Sequence, residues 1–142
     1  MSKTILAQAA FLSALLLQPS FAFACRCAGP ATPQSAFGRA DVIVQGKVMT
    51  VTGDINTEVG AIASVNVTKA WKGKTGIEIE ILNRTTCAYD FKVGQAYLIF
   101  LNKNPDQDYY TTNICIGNLA ILEAETALEW LDQYAVTMDV GE

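Results

Sequence analysis

The sequence predicts a mainly β fold: a five-stranded closed barrel of the OB type, with a short N-terminal helix, a longer C-terminal helix and two disulfides. Three observations predict it. Five segments read as strands joined by turn-rich connections. A helical period appears only before the first strand and after the last. The 142-residue chain, less an expected 24-residue leader, leaves 118 residues with four cysteines. A sandwich of the immunoglobulin kind would want about seven strands, whereas five suit a small closed barrel.

The leader is read from Lys3, the apolar run Ile5 to Leu17, the break at Pro19-Ser20 and the small-residue pattern Ala22-Phe23-Ala24. That is the anatomy of a secretory signal peptide over residues 1–24, too short before its break for a good membrane span. The domain over residues 25–142 then starts at Cys25, and a secreted or periplasmic location follows.

Taken in order, Pro33-Gln34-Ser35-Ala36-Phe37 offers one helical turn. Asp41 to Val51 reads as the first strand, with Gly46 and Gly53 suggesting a bend and a turn. Ala61 to Trp71 is the second, with Val65 and Val67 on the face opposite Asn66 and Thr68. Ile77 to Leu82 alternates apolar residues with Glu78 and Glu80, so one face is wet. Gln95 to Leu101 is a more apolar, more buried strand, and Tyr109 to Ile116 is the fifth. From Glu123 to Ala135 the period becomes helical: Ala124, Ala127, Leu128, Leu131 and Ala135 share a face, while Glu125, Glu129 and Asp132 point out. Trp130 and Tyr134 are expected to pack there.

Composition excludes several function classes. Nine basic residues against fourteen acidic ones after residue 24 give a formal charge of −5, with no Lys/Arg cluster, which argues against nucleic acid or an anionic membrane as partner. There is no histidine, the commonest general base and zinc ligand. The carboxylate pairs Asp54/Glu58 and Asp106/Asp108 sit in turn sequences and read as solvated loops rather than calcium ligands. A non-enzyme without a cofactor is the expectation. Asn66-Val67-Thr68 and Asn83-Arg84-Thr85 match the N-glycan acceptor pattern, which bears on a eukaryotic host alone.

The four cysteines, Cys25, Cys27, Cys87 and Cys115, read as disulfides in an exported protein. A four-thiolate metal site is the rival, but structural zinc sites usually show two close Cys pairs, and Cys87 and Cys115 stand alone. Joining Cys25 to Cys27 would strain a tight ring. Both remaining connectivities staple the N-terminal segment to distant strands, closing loops of roughly sixty residues or more at about 4 kcal/mol apiece. Residues i and i+2 of an extended chain point to one side, so both cysteines can face the barrel.

The motifs Cys25-Arg26-Cys27, Pro33-Gln34-Ser35-Ala36-Phe37, Ala40-Asp41-Val42, the segment Thr85-Thr86-Cys87-Ala88-Tyr89 and Asn113-Ile114-Cys115 occur in an order that resembles the N-terminal inhibitory domain of the tissue inhibitors of metalloproteinases, in the netrin-like superfamily. The resemblance covers nearly the whole of residues 25–142 and implies the pairs Cys25–Cys87 and Cys27–Cys115. It also implies inhibition by a wedge. The α-amine and carbonyl of Cys25 would chelate the catalytic zinc of a target protease, a metal that belongs to the target only. Arg26 would enter the pocket beyond the scissile bond, and Thr85 and Thr86 would lie beside the wedge. Two departures stand out: Arg26 replaces the usual small hydroxyl residue, and Gly38 stands where the family carries a further cysteine.

Two other readings follow from the same residues. One is an extracellular binding module of netrin-like kind without inhibition. The other is a lipoprotein anchored at Cys25, although Ala22 stands where such acceptor sites usually carry leucine. A monomer without a membrane contact is expected unless Cys25 is lipidated.

Overall fold

The computed structural model describes residues 25–135, so the expected leader and residues 136–142 lie outside the described residues. Helix α1 spans Pro33–Arg39. Thr32 caps it, accepting from the Ser35 amide while the Ser35 hydroxyl oxygen accepts from the Thr32 amide, and Pro33 supplies a preset first turn. The strands are β1 (Val42–Asp54), β2 (Gly60–Lys72), β3 (Glu78–Asn83), β4 (Ala96–Lys103), β5 (Tyr110–Thr111) and β6 (Leu119–Ala120). A 3-10 turn, Ile121–Glu123, leads into helix α2, Glu125–Tyr134.

Neighbouring strands run β1-β2-β3-β5-β4, and β4 pairs back onto β1 to close the barrel. Every pairing is antiparallel except β3 with β5, which is parallel. β6 is an extra strand on β4 at Tyr97 and Leu98. The predicted five-stranded barrel is therefore present.

Closure depends on β1 bending. Its register with β2 shifts between Gln45 and Gly46, and a Cβ at residue 46 would lie 2.5 Å from a Val65 methyl and 2.9 Å from the Asn66 carbonyl oxygen. Only glycine lets the two backbones come this close at the bulge.

The start of β1 and most of β4 are buried on both faces, which is why Val42-Ile43-Val44 and Tyr97-Leu98-Ile99-Phe100-Leu101 read as unbroken apolar runs. Val42, Val44, Tyr97, Ile99 and Leu101 fill the barrel with Val65 and Ile81. Ile43, Leu98 and Phe100 point out under the helices, against Ala36, Ala127 and Leu131. β3, by contrast, buries Ile79 and Ile81 and exposes Glu78 and Glu80, as its alternation requires.

Two elements differ from the sequence expectation. The fifth strand was expected over Tyr109 to Ile116 but covers two residues, because Thr112 and Asn113 bond the main chain with their own side chains and the strand leaves the ladder there. The helical period expected from Glu123 begins as the 3-10 turn and becomes α-helical only at Glu125. Trp130 packs on Phe37 with ring centroids 5.7 Å apart, whereas Tyr134 stays exposed and tilts against Trp130.

Helix α2 is latched to β2 by Asp132, which accepts from Trp71 Nε1 at 2.7 Å and from Lys69 Nζ at 2.5 Å. The Lys69 and Trp71 hydrogen bonds hold this carboxyl below the usual carboxylate range. A folded-state pKa below the unfolded one gives stability that is complete above the unfolded value and is lost as pH falls through the folded one. Asp132→Ala should therefore lower stability at neutral pH by about 1 kcal/mol, the half-exposed carboxylate being discounted for solvent screening. The gap in Tm, on the order of 4 °C, should close as pH falls below the carboxylate range; parallel thermal melts of the two proteins from neutral pH into acid check it.

Candidate functional site

Both N-terminal cysteines are bridged to loops at one end of the barrel. Cys25 pairs with Cys87 in the β3–β4 connection, and Cys27 pairs with Cys115 in the β5–β6 connection, each with Cα atoms 5.2 Å apart. These are the pairs that the resemblance implies. Cys25 is half-buried, while Arg26 and Cys27 are exposed, so the intervening main chain forms a ridge fixed on both flanks.

The receiving loops are organised by buried amides. Asn83, 2% exposed, donates through Nδ2 to the Tyr89 carbonyl and accepts from the Tyr89 amide at 2.9 Å, closing the β3–β4 loop across residues 84–88. Inside it Thr85 adopts φ +99°, a backbone region costly for a β-branched residue, and its hydroxyl accepts from the Cys87 amide at 3.2 Å. In the β5–β6 loop, buried Asn118 accepts from the Phe100 amide at 2.8 Å and donates to Thr112 Oγ1 at 2.7 Å. The Cys115 amide donates to Asn113 Oδ1 at 2.8 Å. The two loops also join directly, through the Ile114 amide donating to the Cys87 carbonyl at 2.9 Å.

The segment after Cys27 is fixed as well. A Cβ at Gly117, φ +122°, would come within 2.9 Å of Ala36 Cβ and 3.4 Å of Ala31 Cβ, so helix α1 and its lead-in lie directly on the loop that carries Cys115. Residues 25–31 thus run between two covalent ties and one packed contact.

Thr85 and Thr86 are exposed beside Cys87, and they line an open concavity of about 490 Å³ with Ile55, Thr57, Glu58 and Arg84. The β1–β2 hairpin loop forms its other wall, and sequence reasoning did not bring that loop to the site. The close approach of Gly60 to Arg84 places it there: a Cβ on Gly60 would lie 2.4 Å from Arg84 Cβ. The sequence carries no local signal of this approach beyond the presence of a glycine at residue 60, which adopts φ +79°.

Arg26 takes part in no ion pair among the described residues. Asp54 accepts from the Asn56 amide at 2.8 Å and Asn104 from the Asp106 amide at 3.2 Å, so both acidic stretches are turn chemistry. Among the described residues, the group of three or more Cys, Asp or Glu whose ligand atoms converge is Cys25, Cys27 and Cys115, and these are in disulfides. Of the two glycan acceptor patterns, Asn83 has its amide buried and engaged, whereas Asn66 is exposed on β2.

No protein-family model matches the sequence, and no curated protein matches it either.

Asn83→Ala removes both loop-closing hydrogen bonds and leaves the Tyr89 amide and carbonyl without their partner. A loss of about 1–3 kcal/mol is expected. In oxidative refolding, the yield of the Cys25–Cys87 bridge should fall relative to Cys27–Cys115, read by peptide mapping; unchanged stability and pairing would show that the loop does not depend on Asn83.

Proposed function

We propose that the chain is an exported, non-catalytic inhibitor of zinc metalloendopeptidases, acting through the main chain of Cys25 after cleavage behind Ala24. The observation that carries this reading is the convergence of two disulfides on residues 25 and 27 at an exposed ridge, with Thr85 and Thr86 alongside. Two bridges oxidised in this way also fit an oxidising compartment. Among the described residues no helix is long and apolar enough to cross a membrane.

In this reading the freed α-amine of Cys25 and its carbonyl oxygen bind the target's zinc and displace the water that the metal activates for peptide attack. An α-amine with a pKa of roughly 8 yields its proton readily to a competing metal. The ridge supplies preorganisation. A terminus already ordered by two cross-links loses little further entropy on docking, and the covalent ties keep the nitrogen from retreating.

The lipoprotein reading is disfavoured, since a thioether on the Cys25 sulfur requires the bridge to Cys87 to be absent. A binding module without inhibition remains the competing class, and the amine separates the two.

Adding one alanine before Cys25 should abolish inhibition of a susceptible zinc endopeptidase while leaving the melting curve unchanged. Equal inhibition by both proteins, or by neither across a broad protease panel, removes the zinc-chelating wedge. Arg26→Thr should shift the ranking of inhibited proteases toward those with apolar pockets beyond the scissile bond. An unchanged ranking in inhibition assays would place Arg26 outside the pocket.

A further inference from the structure

The geometry points to a second state of the four cysteines: when both bridges are reduced, they form one tetrathiolate site for a zinc-class divalent d10 cation. This goes beyond the inhibitor reading and needs neither a free amine nor a protease.

Three of the four sulfurs, drawn from both bridges, form one cluster. Cys25 Sγ lies 3.8 Å from Cys115 Sγ, which belongs to the other disulfide, and the sulfurs of Cys25, Cys27 and Cys115 all lie within 4.8 Å of one another. Cys87 stands outside that set of three and is tied to it by its bond to Cys25. Four thiolates around a tetrahedral zinc, with Zn–S of about 2.3 Å, stand about 3.8 Å apart. A tetrahedral site therefore requires each former bridge to open and Cys87 to swing toward the other three sulfurs, which already converge.

Reduction leaves the scaffold of the site tied together. The loops bearing Cys87 and Cys115 are joined by the Ile114 amide to the Cys87 carbonyl, and each is closed by its own buried asparagine. The Cys-Arg-Cys segment remains four residues from Ala31, which lies against Gly117 in the Cys115 loop. At about 3.5 Å per residue the freed Cys27 cannot move more than about 14 Å from that anchor. The local thiol concentration stays in the millimolar range. All four cysteines are at least partly solvent-accessible, so a reductant and a cation can reach them.

The chemistry balances with a dithiol as reductant. Each bridge accepts two electrons and two protons while the dithiol closes to its own cyclic disulfide. Binding one M²⁺ then releases four thiol protons and leaves a centre of net charge −2. Arg26, between the first two ligands, and Arg84, three residues before the third, are basic side chains close in sequence that can offset it.

The test uses residues 25–142, reduced with a dithiol, freed of reductant by gel filtration under argon and titrated with Cd²⁺ alone. The expected result is a sulfur-to-cadmium charge-transfer band saturating at one Cd²⁺ per chain, with all four cysteines protected from alkylation as read by intact mass. The oxidised protein should show no band. The double variant Cys27→Ser, Cys115→Ser keeps the Cys25–Cys87 pair; reduced, it should bind Cd²⁺ at least about 100-fold more weakly, since losing two ligands exceeds the loss of one outer-shell partner. More than one Cd²⁺ per chain, any cysteine alkylated in the loaded protein, or equal affinity in the variant overturns the proposal. Should reduction unfold the chain, Cd²⁺ must restore the native circular dichroism spectrum; failure to restore it overturns the proposal too.

Discussion

Residues 25 and 27 cannot move independently of the barrel, and most of what distinguishes this molecule follows from that restraint. Two side chains two positions apart face the same way along an extended strand of chain. Each is bonded to a different loop, one after β3 and one after β5. A single bridge would leave the segment free to pivot; two, anchored on separate loops, fix its direction as well as its position. The loops must themselves be rigid for this to matter, and each has a buried asparagine that replaces missing ladder hydrogen bonds with side-chain ones.

The barrel supports this arrangement through its topology. Because β3 and β5 are parallel neighbours, the connections that leave them emerge at the same end of the barrel, and Cys87 and Cys115 arrive side by side. β1 and β4 then close the cylinder while carrying apolar residues on both faces. The inner set fills the barrel and the outer set seats the two helices, so helix α1 is held where its lead-in can reach Gly117. Domains of this size have cores large enough to fold without cross-links. The bridges in this chain therefore place one segment in addition to stabilising the fold.

Much of the barrel was legible in the sequence, for reasons visible in particular residues. Ile77 to Leu82 alternates because one face is wet, and the unbroken runs in β1 and β4 announce burial on both sides. The α2 period was plain because Ala127 and Leu131 repeat on one stripe. Less legible was the end of the fifth strand: Tyr109 to Ile116 has the composition of a strand, but Thr112 and Asn113 divert it with side-chain hydrogen bonds that composition does not encode. Asn83 was hidden for a similar reason, since a buried amide closing a loop and a glycan acceptor look the same in one dimension. The pairing of cysteines came from resemblance, spacing alone having left two connectivities open. The hairpin wall of the concavity depended on a tertiary approach between Gly60 and Arg84 that no local pattern records.

The separations across the two bridges, 62 and 88 residues, impose an order of events on biosynthesis. A ribosome delivers Cys25 and Cys27 first, and Cys27 has no native partner until nearly the entire barrel has been translated. Through that interval the two oldest thiols can join each other, or the first can wait for Cys87 while the second stays open. Oxidising machinery that acts early would trap the strained neighbour pair, whereas a disulfide shuffling factor would release it. The maturation of this small domain is thus tied to the length of chain still to be made, although the segment it secures is only three residues long.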